Sequence, residues 1–129
     1  DFDASSGDTF KIALYTNSAT LNAATTAYTT SGQTTGTNYS AGGQALTSID
    51  PTSSGTSGIA DFADETFSNV SITARGALIY NTTPNTTSIS LTNPSVLVLD
   101  FGADKSASSG DFTVVFPTFD VSNAIIRIA

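Results

Sequence analysis

Cysteine, methionine, histidine and tryptophan are all missing from this chain of 129 residues. Their absence removes thiol nucleophiles, imidazole bases, structural zinc sites and thiolate-held clusters, and leaves no disulfide to staple the fold. Positive charge is scarce as well: four Lys and Arg stand against eleven Asp and Glu, a net charge of −7. That balance opposes an electrostatic grip on nucleic-acid phosphates or anionic lipid, so neither nucleic acid nor membrane is expected as a partner. No apolar run approaches the roughly 20 residues of a membrane-crossing helix. The first residues have neither the basic nor the apolar part of a signal peptide. Asp1 in place of Met implies processing, or a missing or flexible segment before it.

Thr, Ser, Ala and Gly dominate, and only 12% of residues are charged. Val, Ile, Leu and Phe are still frequent enough to build a core, which separates this composition from a disordered linker. One domain spanning 1–129 is expected, burying on folding roughly two thirds of what the unfolded chain exposes. The stretch around which it is organised runs from Ala74 to Asn81. Leu78, Ile79 and Tyr80 favour a strand, Arg75 brings one of the few cations, and Gly76 lets another backbone or a kink sit close. Its expected partner is Ser95 to Gly102, whose nearly unbroken apolar run suits a strand covered on both faces, with Leu97 fully buried.

Elsewhere, Phe10, Ile12 and Leu14 alternate with Lys11, Ala13 and Tyr15 as in a half-buried strand. Ser18 to Ala24 suits a short helical turn, Tyr28 to Thr35 an extended segment, and Gly42-Gly43 a bend of positive φ. Gln44 to Ile49 reads as a strand, Asp50 to Gly55 as a turn, and Gly58 to Ala63 as a short strand with a bulge or a helical turn. Phe67 to Thr73 leads into the organising strand. Ile89 and Leu91 suggest a short edge strand, and Gly102 to Gly110 an exposed loop. Asp111 to Phe116 and Ala124 to Ile128 read as strands, the last one buried. Short strands separated by Gly, Pro, Asn and Ser turns predict an all-β fold, a single antiparallel β-sandwich or jelly-roll-like barrel with at most one short helix.

The residues offer little chemistry. Asp61, Asp64 and Glu65 form the densest acidic set and Asp1, Asp3 and Asp8 a second, but neither has the spacing of a calcium loop, and solvated turn residues describe both better than a metal site or an acid–base pair. Asp100-Phe101-Gly102 copies a kinase tripeptide without the rest of that machinery. Asn38, Asn69, Asn81 and Asn85 head glycosylation patterns of the kind that chance supplies in a Thr- and Ser-rich chain. Arg75 is expected to pair with Asp61 or Asp100, or to reach across a subunit interface, and Arg127 invites the same two readings. Tyr15, Tyr28 and Tyr39, if exposed, suit a sugar-binding platform, with Tyr28 and Tyr39 the candidates for surface recognition. No catalytic residue, cofactor or metal is assigned.

Phe10-Lys11-Ile12-Ala13-Leu14-Tyr15-Thr16, Tyr39 to Gly43 with Ala45-Leu46, Ala74 to Asn81, Leu99 to Gly102 with Asp104-Lys105, and the ending Phe116-Pro117-Thr118 with Asn123 to Ala129 together resemble a family of small β-rich bacteriophage virion proteins. The chain departs from that pattern at Gln33 to Gly36 and at Phe67-Ser68-Asn69, which bears on specificity more than on fold. The resemblance implies a noncatalytic structural protein on the capsid exterior. In that role it decorates or cements the shell as a homo-oligomer, a trimer, against the major capsid protein or another virion protein. A tail or fibre component, or a receptor- or glycan-binding module, is the alternative.

Overall fold

The computed structural model describes residues 1–84 and 90–129. Among the described residues seven strands make two antiparallel sheets. In chain order they are β1 (Phe10–Tyr15), β2 (Gln44–Ala45), β3 (Ser48–Ser54), β4 (Ser57–Phe62), β5 (Glu65–Asn81), β6 (Ser95–Val114) and β7 (Ile126–Ile128). The first sheet has the order β2-β1-β5-β6 and the second β3-β4-β7. The described residues contain no helix. The fold is therefore all-β and sandwich-like, as the turn spacing predicts.

The stretch Ala74 to Asn81 lies inside β5, a central strand between β1 and β6. Its expected partner is its partner: Gly76 faces Asp100, Ala77 faces Leu99 and Ile79 faces Leu97. Gly76 also behaves as expected, since a side chain there would collide with the carbonyl oxygen of Leu99, and the register shifts between Ala74 and Gly76. Ile12, Leu14, Ala77 and Ile79 point to one face of the sheet, where they join Leu46, Phe62, Phe67 and Phe112 in the main core. Phe2 stacks on Phe10, with ring centroids 4.8 Å apart, and closes one end of that core.

The other face of the sheet is covered as well, so β1 is not half-buried: Ala13 and Tyr15 sit with Leu78 and Tyr80 under Ala19, Leu21 and Tyr28. The segment that provides this cover is not helical. Asn22 accepts the amide of Ala24 on its side chain, and Thr25 accepts the amide of Asn22, so local polar groups capture the backbone donors that a helix would use. Gly42 and Gly43 take φ of 90° and 70°, and a side chain at Gly43 would strike the carbonyl oxygen of Ile12. The bend expected there leads straight into β2, where Gln44 and Ala45 pair with Ile12 and Lys11.

Several boundaries move. Gln44 to Ile49 divides between the two sheets at Leu46-Thr47, giving β2 to one and β3 to the other. The turn expected at Asp50 to Gly55 shrinks to Gly55-Thr56 because Asp50 to Ser54 continue β3. Pro51 is tolerated there since β3 is an edge strand and its register shifts between Ile49 and Thr52. β4 itself is regular, and Ile59, Ala60, Asp61 and Phe62 are buried on both of its faces. The loop expected at Gly102 to Gly110 is strand: Lys105, Ser106 and Ala107 pair with Ala74, Thr73 and Ile72, and β6 runs through to Val114. Leu91 is exposed and outside any strand, whereas Ile89 and Asn85 lie outside the described residues.

Two burial expectations fail for one reason. β6 and β7 are both edge strands. Val96, Leu97, Val98 and Leu99 are half-buried, not enclosed, and Ile128 is 72% exposed, while Ala124 alone of the final segment is buried. An apolar run has the same appearance in a sequence whether a neighbour covers its outer side or not.

Candidate functional site

The acidic set at the start of β5 divides into separate structural roles. Asp61 is 1% exposed, and its two carboxylate oxygens accept the amides of Phe62 (2.8 Å) and Ile125 (3.2 Å), which ties the C-terminal segment to β4. Asp64 accepts the amide of Phe116 at 2.8 Å, holding the chain where it leaves β6. Burial pushes the Glu65 carboxyl up. Asp3, in the other set, collects the amides and hydroxyls of Ser5 and Ser6, and these bonds, with the backbone donor of Ser6 foremost, hold its carboxyl down at about 2. Among the described residues no three acidic side chains converge in a way that could hold a metal ion.

The tyrosines form a buried polar network instead of an open platform. Tyr15 is 1% exposed, which corrects its place in the expected sugar-binding surface, and its hydroxyl donates to the carbonyl of Thr29. Tyr28 is half-buried and stacks on Tyr80 at 4.7 Å, donating to Gln33 Oε1. Tyr39, also half-buried, accepts from Gln33 Nε2 (3.0 Å) and from the amide of Leu14 (2.8 Å). Tyr80 donates to the carbonyl of Gly42. Burial pushes the Tyr15 and Tyr39 phenols up, and that of Tyr80 up to about 12. Gln33, at the centre of this network, carries no signal in the sequence that singles it out.

Arg75 pairs with Asp100, its Nε 3.0 Å from Oδ1, across the β5–β6 register. Asp61, the other carboxylate considered for Arg75, is occupied within β4 and the C-terminal segment. Both members of the pair are exposed, so it adds little stability. The amide of Gly102, and then Arg75, hold the Asp100 carboxyl below its usual range. Of the two readings open for Arg127, an ion pair or a subunit interface, the ion pair is not formed among the described residues: its Nη1 donates to the carbonyls of Ser122 (2.7 Å) and, weakly, Val121 (3.4 Å), closing the turn before β7. Of the glycosylation patterns, Asn38 donates its amide to the carbonyl of Asn69, and Asn81 donates to Asp8.

What the sequence did not single out is a row of hollows along β6, two of them lined by β5 as well. Three open grooves follow this strand in order. One of about 420 Å³ lies between Asn22–Thr25 and Ser95–Val98. The next, about 360 Å³, runs from Leu21 and Val98 to the Arg75–Asp100 pair. The third, about 480 Å³, is lined by hydroxyls of Thr34, Thr35, Thr73, Ser106 and Ser108. An apolar hollow of about 380 Å³ is lined by Phe101, Phe112 and Val115 beside Lys105. Together they give β6 an uneven surface with few charges.

Compared with protein-family models, with curated proteins and with solved structures, the chain matches none.

Proposed function

We propose that this chain is a non-enzymatic structural protein of a bacteriophage particle, a decoration or cement protein that binds the outer shell as a homo-oligomer through protein–protein contacts. One observation carries the noncatalytic part. Asp61, Asp64, Tyr28, Tyr39 and Gln33, the groups best suited to chemistry or recognition, bond to backbone and to one another to hold segments in place. The assembly part is supported by the long edge strand β6 and its half-buried apolar residues, since unpaired strand edges and partly exposed apolar patches are what such contacts consume. The phage particle itself comes from the resemblance of Phe10 to Thr16, Ala74 to Asn81 and the C-terminal segment to small virion proteins.

Fractionating purified particles into heads and tails tests this reading. Recovery of the chain with heads is the expected result. Recovery only with tails moves it to the tail, and absence from both overturns the proposal.

A further inference from the structure

We infer that the outer edge of β6 from Val96 to Leu99 is a docking site for an extended, cationic segment of another protein, added antiparallel to the sheet. This deepens the assembly reading above by naming the surface and the chemistry of the partner.

The edge already accepts such a strand from the chain itself. Ala27 bridges antiparallel to Pro94, the amide of Tyr28 donates to Asn93, and the amide of Ser95 donates to Thr26. Continued backward in the same register, that added strand would lay residues 23–25 beside Val96 to Val98. It does not continue, because the side chains of Asn22 and Thr25 fold those residues into a turn. The groove of about 420 Å³ beside Ser95–Val98 is the space so left. Along it stand four consecutive half-buried apolar residues without a charge among them. Strand addition draws its affinity from main-chain hydrogen bonds along such an edge and its specificity from pockets for alternate side chains.

Charge selects the occupant. Beyond Leu99 the edge carries Asp100, already paired with Arg75, and then Asp104 beside Lys105; Asp104 is exposed and in no ion pair among the described residues, and the molecule around them has a net charge of −7. A second copy would bring −7 against −7. A partner running antiparallel places its N-terminal side against Asp100 and Asp104, so its cations precede its apolar stretch.

The test is an NMR titration of the isotope-labelled full chain with the blocked peptide Lys-Thr-Lys-Thr-Val-Thr-Val. Amide shifts are expected at Val96–Leu99 and Thr25–Tyr28, with binding at least about threefold weaker when salt shortens the screening length to about 8 Å. The variant Asp104→Lys, at an exposed position, should fold normally and bind at least about threefold more weakly. Peptides with Glu in place of Lys, or with the lysines moved to the C-terminal end, should also bind more weakly. The inference is overturned if shifts are missing at Val96–Leu99, if either altered peptide or the variant binds equally well, or if salt strengthens association and a concentration-dependent dimer appears, which assigns the edge to a second copy. None of these results changes where the chain is found in a particle, so this inference and the assembly reading fail separately.

Discussion

Gly43 and Gly55 separate two effects that are usually mixed at one glycine. Both have positive φ, 70° and 61°, but a side chain at Gly43 meets the Ile12 carbonyl whereas one at Gly55 meets open space. Gly55→Ala should cost about 1 kcal/mol, the backbone penalty alone. Gly43→Ala should cost clearly more, about 3 kcal/mol or above, because β1 must also shift. Urea denaturation of the two variants checks the order. The tyrosines set the alkaline limit. A phenol whose folded value is raised stabilises the fold fully below its unfolded value of about 10 and loses that contribution as pH rises through the folded value. With Tyr15 raised and Tyr80 at about 12, stability should decline between about pH 10 and 12, together with the rise of phenolate absorbance. Asp3 works in the opposite sense. Its carboxyl, held at about 2, supports the Ser5–Ser6 turn above pH 4 or so and releases it as pH falls toward 2. A carboxyl titration by NMR should place its midpoint there, and a midpoint near 4 would remove the turn from the account.

At the scale of strands, position in the sheet decides what an apolar residue is worth. Leu78 is fully enclosed in central β5, and Leu97 is half-buried in edge β6. Leu78→Ala should fall in the usual range of about 2 to 5 kcal/mol, and Leu97→Ala below it. Equal losses in thermal unfolding would mean that something else covers β6. By the same reasoning Leu97→Asp leaves a folded protein, whereas full burial would have made it fail to fold. Asp61 governs the other edge. Asp61→Ala removes the acceptor for two amides, at a cost of about 1 to 3 kcal/mol for each left unsatisfied. Exchange-rate measurements should show the amides of Ile125 to Ile128 losing protection first.

These elements also mark how far the sequence can be read. The pairing of Ala74–Asn81 with Ser95–Gly102 is legible, because strand-forming side chains and the turn after Asn81 mark both segments as neighbouring strands, while their register is not. The all-β class was legible from turn spacing. Edge and centre were not, since sheet order depends on contacts between Phe10–Tyr15 and Ala77–Asn81 that lie far apart in the chain. The polar stretch Gly102–Gly110 reads as a loop because residues on both strand faces there are solvated, and hydroxyl pairs such as Thr73 with Ser106 (2.7 Å) replace apolar ones. The candidate site suffered the same fate: Val96–Leu99 was visible as an apolar run but was assigned to the interior, and nothing local announces Gln33 as a hub.

The whole molecule joins an acidic exterior to a main core shared by both sheets and a second cluster on the other face of the first sheet. Net charge of this size discourages nonspecific contact and favours cationic surfaces as landing places. Particle binding should therefore weaken as salt rises, and a binding curve for purified protein on particles lacking it checks this. The central claim, that the chain serves by the surfaces it presents on a phage shell, is tested most directly by a cryo-electron microscopy map of the intact particle. The account predicts density fitting this sandwich outside the shell, at threefold positions between capsomers, with β6 against its neighbour. A map whose shell exterior holds no such density at any position would contradict it.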